Sequence, residues 1–190
     1  MTGRPEPTGR PEPAGDARDP ILELEPPLSQ APWSPEFVVQ SIEALFVYLT
    51  IDGIRSLRPV HADSLWLGLG PGRSPGDVVL GAAARYGLRP IVVHSTSWRQ
   101  AGDRVVLTYV AVVQPPAEAS PHLADEPIGR FDLARGDATA APPAIGIGQV
   151  LEHALRHLAW LVRDDASVAA ALPEWAPGLA TYVPEPFRAM

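Results

Sequence analysis

The chain has 190 residues, a net charge of −7 and no cysteine; all 15 cationic residues are arginines, with no lysine and no asparagine. This inventory excludes disulfides, a cysteine nucleophile, thiolate-bound metal, a Schiff-base or phosphate-loop lysine and any asparagine-dependent site. The acidic balance argues against nucleic acid as a partner, because phosphate contacts need basic surface.

Residues 2–13 are a tandem repeat, Thr-Gly-Arg-Pro-Glu-Pro twice over. Segments this rich in Pro, Gly and charge bury too little apolar surface to offset their ordering entropy. Residues 1–30 are therefore read as a disordered, polyproline-like arm, and 31–190 as a single α+β domain. The arm is either a plain solvated tail or a ligand for a partner's aromatic groove. It has no apolar stretch of the signal-peptide kind, and no run in the chain reaches the ~18 apolar residues of a membrane helix. The expected location is cytoplasmic, with no membrane contact.

Ser34-Pro35-Glu36 signals a short helix. From Ala44 to Ile51 both alternation sets are apolar, which suits a strand buried on both faces. Asp52-Gly53 predicts a tight turn, and Ile54–Val60 the returning strand. Leu65–Leu69 predicts a short strand. It runs into glycines 68, 70, 72 and 76, then a helix from Val78 to about Arg85, capped by Ser74 or Asp77 and closed by Gly87. Pro90–Trp98 and Arg104–Val113 are strands of a hairpin turning at Ala101-Gly102-Asp103. Residues 114–145 read as a long loop. A long helix follows from about Gly146 to Asp164, with Ile147, Val150, Leu151, Ala154, Leu155, Leu158, Leu161 and Val162 as its apolar stripe. Glu152 and Arg156 pair across one turn on the opposite face. A short terminal helix comes last, with Trp175, Tyr182 and Phe187 as packing anchors. The fold class is α+β: a mixed or antiparallel sheet packed with a long C-terminal helix.

Four motifs bear on chemistry. Gly72-Arg73-Ser74-Pro75-Gly76 has the spacing of a nucleophile elbow, but the residue after the serine must donate its backbone N–H to the oxyanion, and Pro75 has none. The glycine spacing does not fit a dinucleotide fingerprint, and Pro71 sits inside it. What remains is a Gly-rich turn entering a helix, whose N–H groups, with Arg73, favour an anion. In His94-Ser95-Thr96-Ser97-Trp98, strict alternation places His94, Thr96 and Trp98 on one face and Ser95 and Ser97 on the other, as a polar pocket wall followed by Arg99. His153 and His157, four apart on the long helix, could ligate a metal if a third ligand came from His61, His94 or His122.

The charge is uneven. Residues 51–113 carry seven arginines against four aspartates, while the segments before and after are acidic. This basic centre suits one small anionic ligand, with Arg73, Ser95, Ser97, Arg99 and Arg104 as candidate binding residues.

Trp66-Leu-Gly-Leu-Gly-Pro71-Gly72, Ala82-Ala83-Ala84, Gly87-Leu88 and the strand Val105–Val113 give residues 42–163 an order that resembles the Nudix hydrolase fold. That family has a first hairpin, a Trp-containing strand ending in Pro-Gly, a helix ending in Gly-Leu, a hairpin, a long loop and a C-terminal helix. The resemblance implies a Nudix-like sandwich. The family's catalytic helix holds magnesium with several glutamates, whereas this chain has no Glu between Glu43 and Glu118. Asp77 alone could stand for the first of them, on a loop-helix shortened by more than a turn. Without carboxylates little remains to hold a metal or activate water.

The sequence thus favours a non-catalytic Nudix-like domain that needs no cofactor and binds a small anionic, nucleotide-like ligand or a protein partner. The alternatives are a metal-dependent enzyme built on His153 and His157, and an interaction module working through its arm.

Overall fold

The computed structural model describes residues 39–118, 120–133 and 145–183. The Pro-rich arm, the Ser34 helix start and Phe187 lie outside these.

The strands are β1 (Val39–Thr50), β2 (Gly53–Pro59), β3 (Leu65–Gly68), β4 (Pro90–Ala101), β5 (Arg104–Val113) and β6 (Leu123–Pro127). The helices are α1 (Pro75–Arg85), α2 (Ile147–Asp164), α3 (Ala166–Ala171) and α4 (Trp175–Leu179). They form one mixed sheet in the order β4-β5-β1-β2-β6. One edge of β1 pairs parallel with β5. The other is shared, antiparallel to β3 over Ser41–Ala44 and to β2 over Phe46–Thr50.

The doubly apolar pattern of β1 follows from this central position. Ile42, Ala44, Phe46 and Tyr48 pack under Val78, Val79, Ala82 and Ala83 of α1. Leu45 and Val47 point the other way, with Val110 and Val112, against Val150, Ala154, Leu155 and Leu158 of α2. Each fully buried side chain of this kind contributes roughly 1.5–3 kcal/mol. Leu172, Trp175, Leu179 and Tyr182 close the second core, so Trp175 and Tyr182 are anchors as expected.

Outside the candidate site, sequence and structure differ in four places. Ile51 is not in the strand; it sits in the tight turn and is 99% exposed, because the Thr50–Gly53 pair leaves Ile51-Asp52 as the loop. The expected loop 114–145 contains β6, which pairs with β2 and sets Asp125 on Arg55 (2.7 Å) and Glu126 on Arg58 (2.5 Å). The single terminal helix is two, α3 and α4.

Glu152 is the fourth difference. It does not lie on a solvent face; it is 0% exposed. Arg130 embraces it through Nε (3.0 Å) and Nη2 (2.8 Å), Arg156 adds Nε at 2.8 Å, and the Phe131 N–H donates at 3.3 Å. The same arginines donate to the carbonyls of Thr181 (2.8 Å) and Val183 (3.2 Å). One carboxylate thereby joins α2 to the segment after β6 and to the chain beyond α4. Burial pushes its pKa up, but the two guanidinium groups and the N–H outweigh this and hold it below the ordinary value.

Candidate functional site

On the α2 face of the sheet, four strands contribute to one row in register: Ser97 of β4, Thr108 of β5, Glu43 of β1 and Trp66 of β3. Glu43 is a charged residue in the most buried strand, 3% exposed. Three donors satisfy it: Arg99 Nη1 at 2.6 Å and the Thr108 hydroxyl at 3.2 Å on Oε2, and the Ser64 hydroxyl at 2.9 Å on Oε1. Arg99 Nη1 also donates to Thr108 Oγ1 at 3.0 Å, and its guanidinium lies 5.7 Å from the Trp66 ring centroid. The pair Glu43–Arg99 is therefore a buried ion pair whose carboxylate is hydrogen-bonded on both oxygens and which fixes the arginine through Nη1. Among the described residues no acceptor meets Arg99 Nε or Nη2, so that edge of the guanidinium can still receive an anion.

A β-bulge decides which predicted residues join this row. The β4–β5 register slips between Ser95 and Ser97, leaving Thr96 as the inserted residue, its hydroxyl donating to the Thr108 carbonyl (3.3 Å). Beyond the bulge the alternation inverts. His94, Ser97 and Arg99 consequently share the α2 face, while Ser95 and Trp98 share the other and are exposed. The two serines do not form one wall, and β4 is an edge strand. Arg104 lies on the same face as Arg99, diagonal to it, with only a 3.9 Å approach from Asp103. Arg73 is exposed in the turn before α1, which the Leu69 N–H ties to the Gln40 carbonyl (3.0 Å) at the same end of the sheet.

The structure thus brings Ser97, Arg99 and Arg104 together, leaves Ser95 on the far face, and places Arg73 near that end without contact to the others. Glu43, Ser64, Trp66 and Thr108 were not among the candidates. The available signal was Glu43 itself, a carboxylate immediately before the apolar run that begins at Ala44. None of these residues lines the cavity of about 440 Å³ beside the end of α1, bounded by Tyr86, Leu88, Glu118 and Asp125, nor the smaller one beside Arg58 and Glu126.

Further along β4, the histidines meet. His94 Nε2 and His157 Nε2 are 3.1 Å apart, so one ring donates to the other, and Trp160 sits edge-on to His157. His153 Nε2 is 3.4 Å from the Thr96 carbonyl instead. Among the described residues no three His, Cys, Asp or Glu side chains form a metal-holding group.

Burial lowers the pKa of His94, against a smaller pull upward from Asp165. Burial, with His94 and His153 nearby, lowers that of His157. A folded-state pKa below the unfolded value of about 6.5 means that the unfolded chain takes up protons first. Stability from the pair is present above about pH 6.5 and is lost as the pH falls through and below it. The melting midpoint is expected to fall between pH 7.5 and 5.5, less steeply in His94→Gln/His157→Gln. An equal slope in the double variant would remove the pair as the cause.

No family model and no curated protein sequence matches the chain. Among solved structures it is similar to Shewanella oneidensis NrtR, with a TM-score of 0.50 and 16% identity over 80% of each chain. It is also similar to a MutT/nudix family protein from Enterococcus faecalis, with a TM-score of 0.45 and 11% identity over 75% of this chain and 70% of that one. The fold is Nudix-like, with hairpin, Trp strand, Gly-rich turn, Gly-Leu-closed helix, second hairpin and C-terminal helix in the expected order. Among the described residues no helix is long and apolar enough to cross a membrane.

Proposed function

We propose that this chain is a non-catalytic Nudix-like domain that binds a small anionic, nucleotide-like ligand on the sheet face carrying Ser97, Arg99 and Arg104. The observation behind this reading is Arg99. Glu43 holds its guanidinium in place, and Nε and Nη2 meet no acceptor among the described residues. A preorganised arginine of this kind recognises phosphate at low entropic cost. Arg104 supplies charge with little local compensation, Ser97 a hydroxyl, and Trp66 an aromatic surface. The non-catalytic half of the proposal rests on α1, whose residues 75–85 include a single carboxylate, Asp77. A helix so built cannot surround a magnesium ion with oxygen ligands.

The test is a thermal-shift screen of the full chain against nucleoside diphosphates and nucleotide-sugars, with magnesium and with chelator. Ligand bound only to the native state raises the midpoint by mass action. A rise with a diphosphate, unchanged by chelator and weakened about tenfold in Arg104→Ala, is expected. Such a loss corresponds to about 1.4 kcal/mol of one charge-assisted contact. A rise that requires magnesium, with turnover of the ligand, would overturn the non-catalytic reading. No rise with any phosphorylated ligand would overturn the anion site. The second reading, a protein partner, would then take its place, favoured by Trp98, 72% exposed on the edge strand β4.

A further inference from the structure

We propose that His94 and His157 bind one divalent ion of the zinc class through the Nε2 atom of each, in place of the proton that the two rings share. The site is separate from the proposed anion site and does not depend on it. It also differs from the pair that helix spacing alone suggests, since His153 turns to the Thr96 carbonyl and β4 supplies the second ligand.

The geometry carries the case. Nitrogens bound at about 2.0–2.1 Å to a tetrahedral ion lie roughly 3.3 Å from each other. The two Nε2 atoms are already 3.1 Å apart, each aimed at the other, so small ring rotations open a position between them. The ligands come from two rigid elements, a long strand and the core helix α2, and Trp160 braces the His157 ring edge-on at 5.5 Å. Imidazole alone as ligand selects zinc, copper or nickel over magnesium and calcium. Each ring ligates in its neutral form, through the Nε2 lone pair. With two protein ligands, water completes the shell. The donor ring's Nε2 proton moves to its Nδ1 through solvent, so binding at neutral pH releases no net proton.

The experiment titrates zinc chloride into untagged full chain at pH 7.5 by calorimetry, with magnesium chloride as the comparison. One saturable equivalent of zinc is expected and none of magnesium. His94→Ala and His157→Ala should each weaken zinc at least tenfold, while exposed His61→Ala should leave it unchanged. Because either alanine could loosen α2 from β4, imidazole ¹⁵N spectra of the unmutated chain provide a second reading. Zinc should shift the Nε2 resonances of His94 and His157 and leave those of His61 and His122 in place. The absence of a one-to-one event, full affinity in His94→Ala, or shifts confined to other histidines would overturn the site.

Discussion

Glu152→Ala is expected to destabilise the fold by about 3–5 kcal/mol, the cost typical of breaking a buried ion pair from one side. The wild-type carboxylate has no exposed surface and receives bonds from Arg130, Arg156 and the Phe131 N–H. Alanine would leave two guanidinium groups facing each other with no anion between them. It would also release the bonds they make to the Thr181 and Val183 carbonyls, and the 4.4 Å stacking of Arg130 on Tyr182. The loss should appear as a lower urea midpoint and as faster amide exchange around Leu179–Val183. The lowered pKa adds an acid limb. Its stabilisation is present above the unfolded value of about 4.3 and is lost as pH falls through the folded one. A loss below about 1 kcal/mol would mean that the arginines find other acceptors and that this carboxylate does not hold the C-terminal segment.

Glu43→Leu is expected to cost a similar ~3–5 kcal/mol, because it strands Arg99 without its counter-charge beneath the sheet face. Here the double variant is the informative one. Glu43→Leu/Arg99→Met removes both charges and keeps the volume, and such replacements are often neutral or stabilising. Recovery of most of the stability in urea denaturation, together with lost ligand binding, would mean that the pair serves binding rather than folding. If the double variant is as unstable as the single one, the Thr108 and Ser64 hydroxyls need the carboxylate, and the pair is structural. The Arg104 test isolates binding without this complication, since Arg104 takes no part in the Glu43 network.

Much of this fold was legible in the sequence because its signals are local. The doubly apolar β1, the α2 stripe and the Gly87 closure all depend on neighbours within a few residues, as does the tight turn after β1, which falls one residue earlier than Asp52-Gly53. Gly87 sits at φ +70°, and the Leu88 N–H returns to the Ala83 carbonyl at 2.9 Å. What was hidden depends on distant partners. β6 reads as an acidic, Pro-containing loop until Arg55 and Arg58 of β2 are set beside Asp125 and Glu126. Glu152 reads as surface until Arg130 arrives from twenty-two residues away. The candidate site was half legible. Ser97, Arg99 and Arg104 were expected together, but a bulge at Thr96 has no reliable signature in one sequence and reverses the face of everything after it. His94 was one of three possible third ligands for the His153–His157 pair, and only the crossing of α2 over β4 sets it on His157 alone.

The most direct test of the anion-binding claim is amide chemical-shift mapping of the ¹⁵N-labelled full chain titrated with a nucleoside diphosphate in chelator. Saturable shifts are expected at Trp66, Ser97, Arg99, Arg104 and Thr108, along one face of four adjoining strands. Shifts gathered instead around Tyr86, Glu118 and Asp125, at the cavity beyond α1, or no saturable shift at all, would contradict it.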